Sequence, residues 1–171
     1  MPLLCYSWGT TSQERLLDFP CDSVIEKVDD IYHRGVTVES SPEIIFRWIC
    51  QLRVGMYVFG RKDSPKLTLK FDALAVGQNV MDFFEIICFE INKHLTIRIK
   101  QGSPESKIYG DVAVSYVIIS ENEHRCRLLV RTCIQYPKIF GRLLRFVLPW
   151  GDLIMIRRQL YNFKKLSEQI A

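Results

Sequence analysis

No apolar run in this chain reaches the roughly 18 residues that a membrane-spanning helix requires. Residues 1–19 have neither a basic start nor an apolar stretch, so the pattern of a secretory signal is missing and a cytoplasmic protein is expected. The six cysteines form no CxxC pair, and no Cys/His cluster has ligand spacing. Free buried thiols are therefore expected, with no metal and no cofactor. Histidine is scarce, with three residues, and neither Ser7 nor Ser115 sits in a nucleophile motif. The chain contains no internal repeat, no low-complexity segment and no recognised nucleic-acid motif.

What is present suits one soluble domain. Of 171 residues, 48% are hydrophobic and 25% charged, enough for a substantial core. The net charge is only +4, but it is uneven. Ten lysines and arginines lie between Arg125 and Lys165, with Asp152 the one acid among them. Such a surface is either a solvated face or a contact for anionic headgroups or an acidic partner.

The clearest element is a helix over 150–171. Leu153, Ile156, Leu160, Phe163, Leu166 and Ile170 recur at steps of three and four, which places them on one face. So long a helix needs a broad apolar partner, and most of the chain from Val80 to Gln135 reads as strand. The expected class is α+β: a curved antiparallel sheet wrapped around the C-terminal helix, with smaller helices after the first strand.

In chain order, residues 1–30 read as an irregular arm, and 31–171 as a single domain. Residues 31–39 alternate as a strand. Ser40-Ser41-Pro42-Glu43 starts a helix, either by a Ser40/Glu43 capping box or by Ser41 with Pro42 at the first helical position. Ile45, Trp48, Ile49 and Leu52 form its apolar face. A short strand or loop is expected at 56–59, a loose stretch at 60–65 and a strand carrying Leu67, Leu69 and Phe71. Strands follow at 80–91, 95–100, 110–120 and 125–135, separated by a polar loop at 101–107 and short turns, which implies an antiparallel meander. Residues 137–148 read as a short amphipathic helix that Pro149 breaks or kinks before the main helix.

This order resembles the helix-grip fold of the START-like, or SRPBCC, superfamily. VTVESSPEIIFRWICQL at 36–52 resembles the superfamily's opening strand and proline-capped helix. DFFEIICFEINKHL at 82–95 and RLLVRT at 127–132 resemble strands of its polyketide cyclase/dehydrase-like branch, and LLRFVLPWGDLIMIRRQL resembles the end of those proteins. The stretch RVGMYVFGRK is shorter than the glycine- and tryptophan-rich segment of many relatives, so their ligand preference does not carry over.

The resemblance implies a ligand cavity between sheet and helix. Its expected lining is Phe84, Leu95, Ile97, Val114, Tyr116, Leu128 and Val130 from the sheet, with Leu153 and Ile156 from the helix. The implied function is binding or transport of a hydrophobic small molecule or lipid. Lys138, Arg142 and Arg145 of the basic amphipathic segment would then face a membrane or partner, giving peripheral membrane contact. One alternative is a polyketide cyclase/dehydrase-like enzyme, for which Glu85 and His94 are the candidate proton-transfer groups. Another is a ligand-free interaction module that uses the basic C-terminal face. His33, beside Arg34, is expected at the surface.

Overall fold

The computed structural model describes residues 4–53, 55, 57 and 74–170. Seven strands form one open sheet: β1 (Ser7–Trp8), β2 (Asp30–Val38), β3 (Asn79–Val80), β4 (Phe84–Glu90), β5 (His94–Ile99), β6 (Asp111–Asn122) and β7 (Arg125–Gln135). Their order across the sheet is β1-β2-β7-β6-β5-β4-β3. All pairings are antiparallel except β1 with β2. The expectations at 58–73, and at 56, lie outside the described residues.

Period-two alternation sends one set of side chains to each face of the sheet. Leu95, Ile97 and Ile99 of β5 and Leu128 and Val130 of β7 are buried on the inner face. That face meets α2 (Pro42–Cys50) and the long helix α4 (Gly141–Glu168). The α2 cap settles the register left open by the sequence. Ser41 accepts from the Ile44 N–H at 3.3 Å, with Pro42 opening the helix. Ser40 instead donates to the Ser167 carbonyl at 3.4 Å, tying the start of α2 to the end of α4.

Three local expectations change. The helix expected over 137–148 and the main helix are one continuous element of 28 residues, with Pro149 inside it. Proline costs the helix one backbone donor, and the buried apolar face on the following turns outweighs that loss. Leu153, Ile156, Leu160 and Phe163 are each buried, worth about 1.5–3 kcal/mol apiece. The polar loop at 101–107 contains the start of a short helix, α3 (Pro104–Tyr109), whose cap is Ser103 accepting from the Ser106 N–H at 3.1 Å. The single strand expected over 80–91 is divided into β3 and β4, because Met81 and Asp82 take left-handed backbone conformations.

The N-terminal arm covers the outer face of the sheet. It contributes β1, a single turn of helix, α1 (Ser12–Arg15), and a 3₁₀ turn at Pro20–Ser23. Phe19, Cys21 and Ile25 pack with Ala113, Leu129 and Cys133 into a second small core. Two arginines on the outer face of β7 clamp the arm. Arg127 Nε bonds Glu14 at 2.7 Å, and its Nη2 donates to the Gly9 carbonyl at 2.7 Å. Arg131 pairs with Asp22 and donates to the Arg15 carbonyl at 2.7 Å, its guanidinium 4.0 Å from the Phe19 ring centre. Gly9 has a φ of 71°, and a side chain there would meet the Gly35 carbonyl oxygen at 2.1 Å. Only glycine lets the arm lie so close to β2.

His33 is not at the surface. It is partly buried beside this arm, and burial holds its pKa down to about 4, with Arg131, Arg15 and Arg34 adding to the effect and Asp22 opposing it.

Candidate functional site

The main helix and the sheet part company at one end of the inner face. At the other end, α2 fills the space above the sheet with Ile45, Phe46, Trp48 and Ile49, all fully buried. Beyond the reach of α2 lies a cavity of about 380 Å³, open on one side and almost wholly apolar. The sheet lines it with Phe84 and Ile99, with Val112, Val114 and Tyr116 of β6, and with Thr132 and Ile134 of β7. The middle of α4 lines it with Leu148, Gly151, Asp152, Met155, Ile156 and Gln159. Tyr109 of α3 stands at its edge. The volume is within the range of small-molecule pockets.

Its polar groups converge. Asp152 and Gln159 are two helical turns apart and so share a face of α4. Tyr116 and Val114 are two apart on β6, and Val114 is opposite Thr132 in the β6–β7 ladder. The result is two bonded pairs across the gap. The Tyr116 hydroxyl donates to Gln159 Oε1 at 2.7 Å, and the Thr132 hydroxyl donates to Asp152 Oδ1 at 3.2 Å. Burial raises the Tyr116 phenol well above its ordinary value, so it remains a donor.

Behind Asp152 stands Arg34 of β2, its side chain fully buried and its Nη2 at 2.7 Å from Asp152 Oδ2. The guanidinium also donates to the carbonyls of Cys5 at 2.7 Å and His33 at 2.9 Å, and lies 5.5 Å from the Tyr32 ring centre. The contact with Oδ2 is close but poorly aligned for a hydrogen bond, so that oxygen is held mainly by charge. Burial raises the Asp152 carboxyl above the usual carboxylate range, although Arg34 and the Thr132 bond pull the other way. It lowers Arg34 in the same sense. Desolvation outweighs attraction on both partners, as expected for a pair at this depth.

Of the residues expected to line a cavity, Phe84, Val114, Tyr116 and Ile156 do so. Leu95, Ile97, Leu128, Val130 and Leu153 are buried but do not line it. Ile97 is opposite Val114, Leu95 and Val130 are opposite Tyr116, and Leu128 is opposite Ile118, so the cavity opens over β6 and its polar partners and not over these neighbours. Glu85 and His94 lie on the outer face of the sheet, their neighbours Phe84 and Leu95 pointing inward. Glu85 is across the ladder from Arg98, and His94 is partly buried with its pKa lowered by burial. Neither reaches a molecule held in the cavity. Lys138 and Arg142 are exposed, whereas Arg145, half exposed, pairs with Asp29 and Asp30.

Sequence reasoning missed Arg34, Thr132, Asp152 and Gln159. Asp152 as the one acid between Arg125 and Lys165, and an arginine on the strand face of Tyr32 and Val36, were the available signals. On the outer face, Cys21 and Cys133 come within 3.7 Å of each other, with Asp22 alongside. Cys133 donates to Cys21, which lowers the Cys21 pKa and raises that of Cys133. Arg131 already engages the Asp22 carboxylate.

No protein-family model matches the chain, and no curated protein sequence matches it. Solved structures do. A START superfamily protein from Mycobacterium smegmatis superposes with a TM-score of 0.55 at 12% identity, over 82% of this chain and 99% of that one. A norcoclaurine synthase point mutant from Thalictrum, solved with a transition-state analogue, gives 0.53 at 13% identity over 85% and 98%. The di-domain aromatase/cyclase StfQ of steffimycin biosynthesis gives 0.52 at 9% identity over 82% and 51%. The chain has the START-like helix-grip fold.

Proposed function

We propose that this protein binds a hydrophobic small molecule or lipid in the cavity between β6, β7 and α4. The observation that carries this reading is an apolar space of about 380 Å³ with its polar groups gathered at Tyr116, Gln159, Thr132 and Asp152. Such a site takes a largely apolar molecule with one hydroxyl or carbonyl. The apolar body supplies most of the binding free energy, and the polar group sets orientation. The folds of the START and cyclase neighbours support the same reading.

The test is native mass spectrometry of freshly purified protein, followed by solvent extraction, with binding of the apolar dye N-phenylnaphthylamine measured in parallel. A discrete apolar mass released on denaturation, or dye binding lost in Met155→Trp, is the expected result. An empty protein that also fails to bind the dye rejects the proposal.

Asp152 favours a second reading, a proton-transfer enzyme of the cyclase type. A buried carboxyl with a raised pKa on the wall of an apolar cavity is the setting a general acid requires. Under this reading Asp152→Asn abolishes turnover of a bound polyketide-like ketone but leaves its binding intact. Under the carrier reading no such turnover is seen in the wild type.

A further inference from the structure

The first half of α4 turns a second face to solvent. Leu143, Phe146, Val147, Trp150 and Ile154 are each more than half exposed. Their steps of three and four place them within roughly a 100° arc at 3.6 residues per turn. A soluble helix ordinarily directs its apolar stripe to the core and its polar residues outward. Here the cavity face and the outer face are both apolar, which leaves a hydrophobic surface exposed among the described residues.

The charge beside that surface indicates what covers it. From Tyr136 to Gly151 there are three basic residues and no acid. Arg145 is neutralised by Asp29 and Asp30, and the Tyr136 N–H takes Asp29 Oδ2 at 2.9 Å. Lys138 and Arg142 are exposed, with no acid paired to them among the described residues. A second copy of the chain would bring its own uncompensated lysine and arginine to the same contact. An anionic lipid surface supplies both the apolar depth and the opposite charge, and Trp150 is of the residue type enriched at membrane interfaces.

Resting on the proposed binding function, we infer that this face of α4 seats the protein on an anionic membrane with the mouth of its cavity beside the lipid. Leu148 and Gly151 line the cavity from the same turns that carry Phe146, Val147 and Trp150 outward. Gly151 is exposed, and a side chain added there would meet nothing within 4 Å. It marks open space at the border between the docking face and the cavity, the natural passage for a ligand leaving lipid.

The experiment is flotation of the intact chain with vesicles of phosphatidylcholine plus phosphatidylglycerol, and with phosphatidylcholine alone. Wild type is expected to float with the anionic vesicles and to be released by salt. Phe146→Glu with Trp150→Glu should reduce partitioning at least tenfold, on the order expected for two lost aromatic insertions. Lys138→Gln with Arg142→Gln should reduce it by about fivefold per charge. All these positions are exposed, so unchanged circular dichroism and unchanged N-phenylnaphthylamine binding in solution confirm that fold and cavity survive. The inference is overturned if wild type stays in solution, if the Phe146/Trp150 variant floats equally well, or if that variant merely splits a dimer that ignores vesicles. Dye binding without flotation rejects the membrane surface alone, and absence of dye binding rejects the cavity reading.

Discussion

Asp152→Asn and Arg34→Met, singly, and Arg34→Met with Asp152→Leu, probe the buried pair behind the cavity. The Arg34 side chain is fully buried and that of Asp152 is 11% exposed, at a separation of 2.7 Å. At an effective dielectric near 20 their attraction is about 6 kcal/mol, and burial has cost each ion several kcal/mol of hydration. The intact pair is therefore close to balanced, whereas removing one partner should cost about 3–5 kcal/mol. Asp152→Asn should fall at the low end, because Arg34 retains the carbonyls of Cys5 and His33 and the face of Tyr32. Arg34→Met strands a carboxylate already raised above its ordinary pKa by burial. The folded variant then holds its proton to higher pH than the unfolded chain does. Its penalty should be smallest in acid, below the unfolded pKa, and grow as pH rises through the folded value. Urea denaturation followed by circular dichroism across that range measures both effects. The double variant should recover at least about 2 kcal/mol relative to the sum of the single changes. A cost under about 1 kcal/mol for Asp152→Asn, or a pH-independent cost for Arg34→Met, would refute this account.

Three further outcomes are expected. Tyr116→Phe removes the donor to Gln159, whose side chain is 1% exposed, and should cost about 1–2 kcal/mol in urea denaturation; binding of a hydroxylated apolar ligand should weaken about tenfold as well. Gly151→Ala, inside α4 with open space at its Cβ, should stabilise the protein by up to about 1 kcal/mol, read as a rise in thermal midpoint. His33 is held at about 4 while the unfolded chain titrates near the ordinary 6.5. The unfolded state takes the proton first, so stability is fully present above pH 6.5 and is lost as pH falls towards 4. The loss is on the order of 2 kcal/mol once its partial exposure is discounted, and His33→Gln should flatten that part of the pH profile.

Much of the architecture was legible because it is written in local periodicity. The alternation of Leu95, Ile97 and Ile99 and the three-and-four spacing from Leu153 to Phe163 each commit a segment to bury one face. The Ser41-Pro42 start is equally local, a side chain capping a backbone donor three residues on. Elements of low periodicity were harder to place. The α3 helix is barely two turns long and polar, and Pro149 is a breaker by propensity but is carried through by the packing on the following turns.

The candidate site was only half legible. Phe84, Val114, Tyr116 and Ile156 could be placed facing inward by pattern alone. Pattern could not show that Leu95, Ile97, Leu128 and Val130 are buried without lining the gap, although Leu95, Ile97 and Val130 stand opposite residues that do. The basic stretch likewise read as one face. In the structure Arg127 and Arg131 clamp the arm through Glu14 and Asp22, and Lys138 and Arg142 remain exposed beside Phe146 and Trp150.

By itself the sequence determined the main strands, the capped start of α2 and the core-facing stripe of the C-terminal helix, because those choices depend on neighbours within a few positions. Only the tertiary structure decided that Arg34 meets Asp152 from 118 residues away, that Tyr116 meets Gln159, and that α4 is apolar on two faces with one left to solvent. Charge pairing, desolvation and empty volume depend on distances between segments remote in the chain, and those distances exist only once the sheet has closed around the helix.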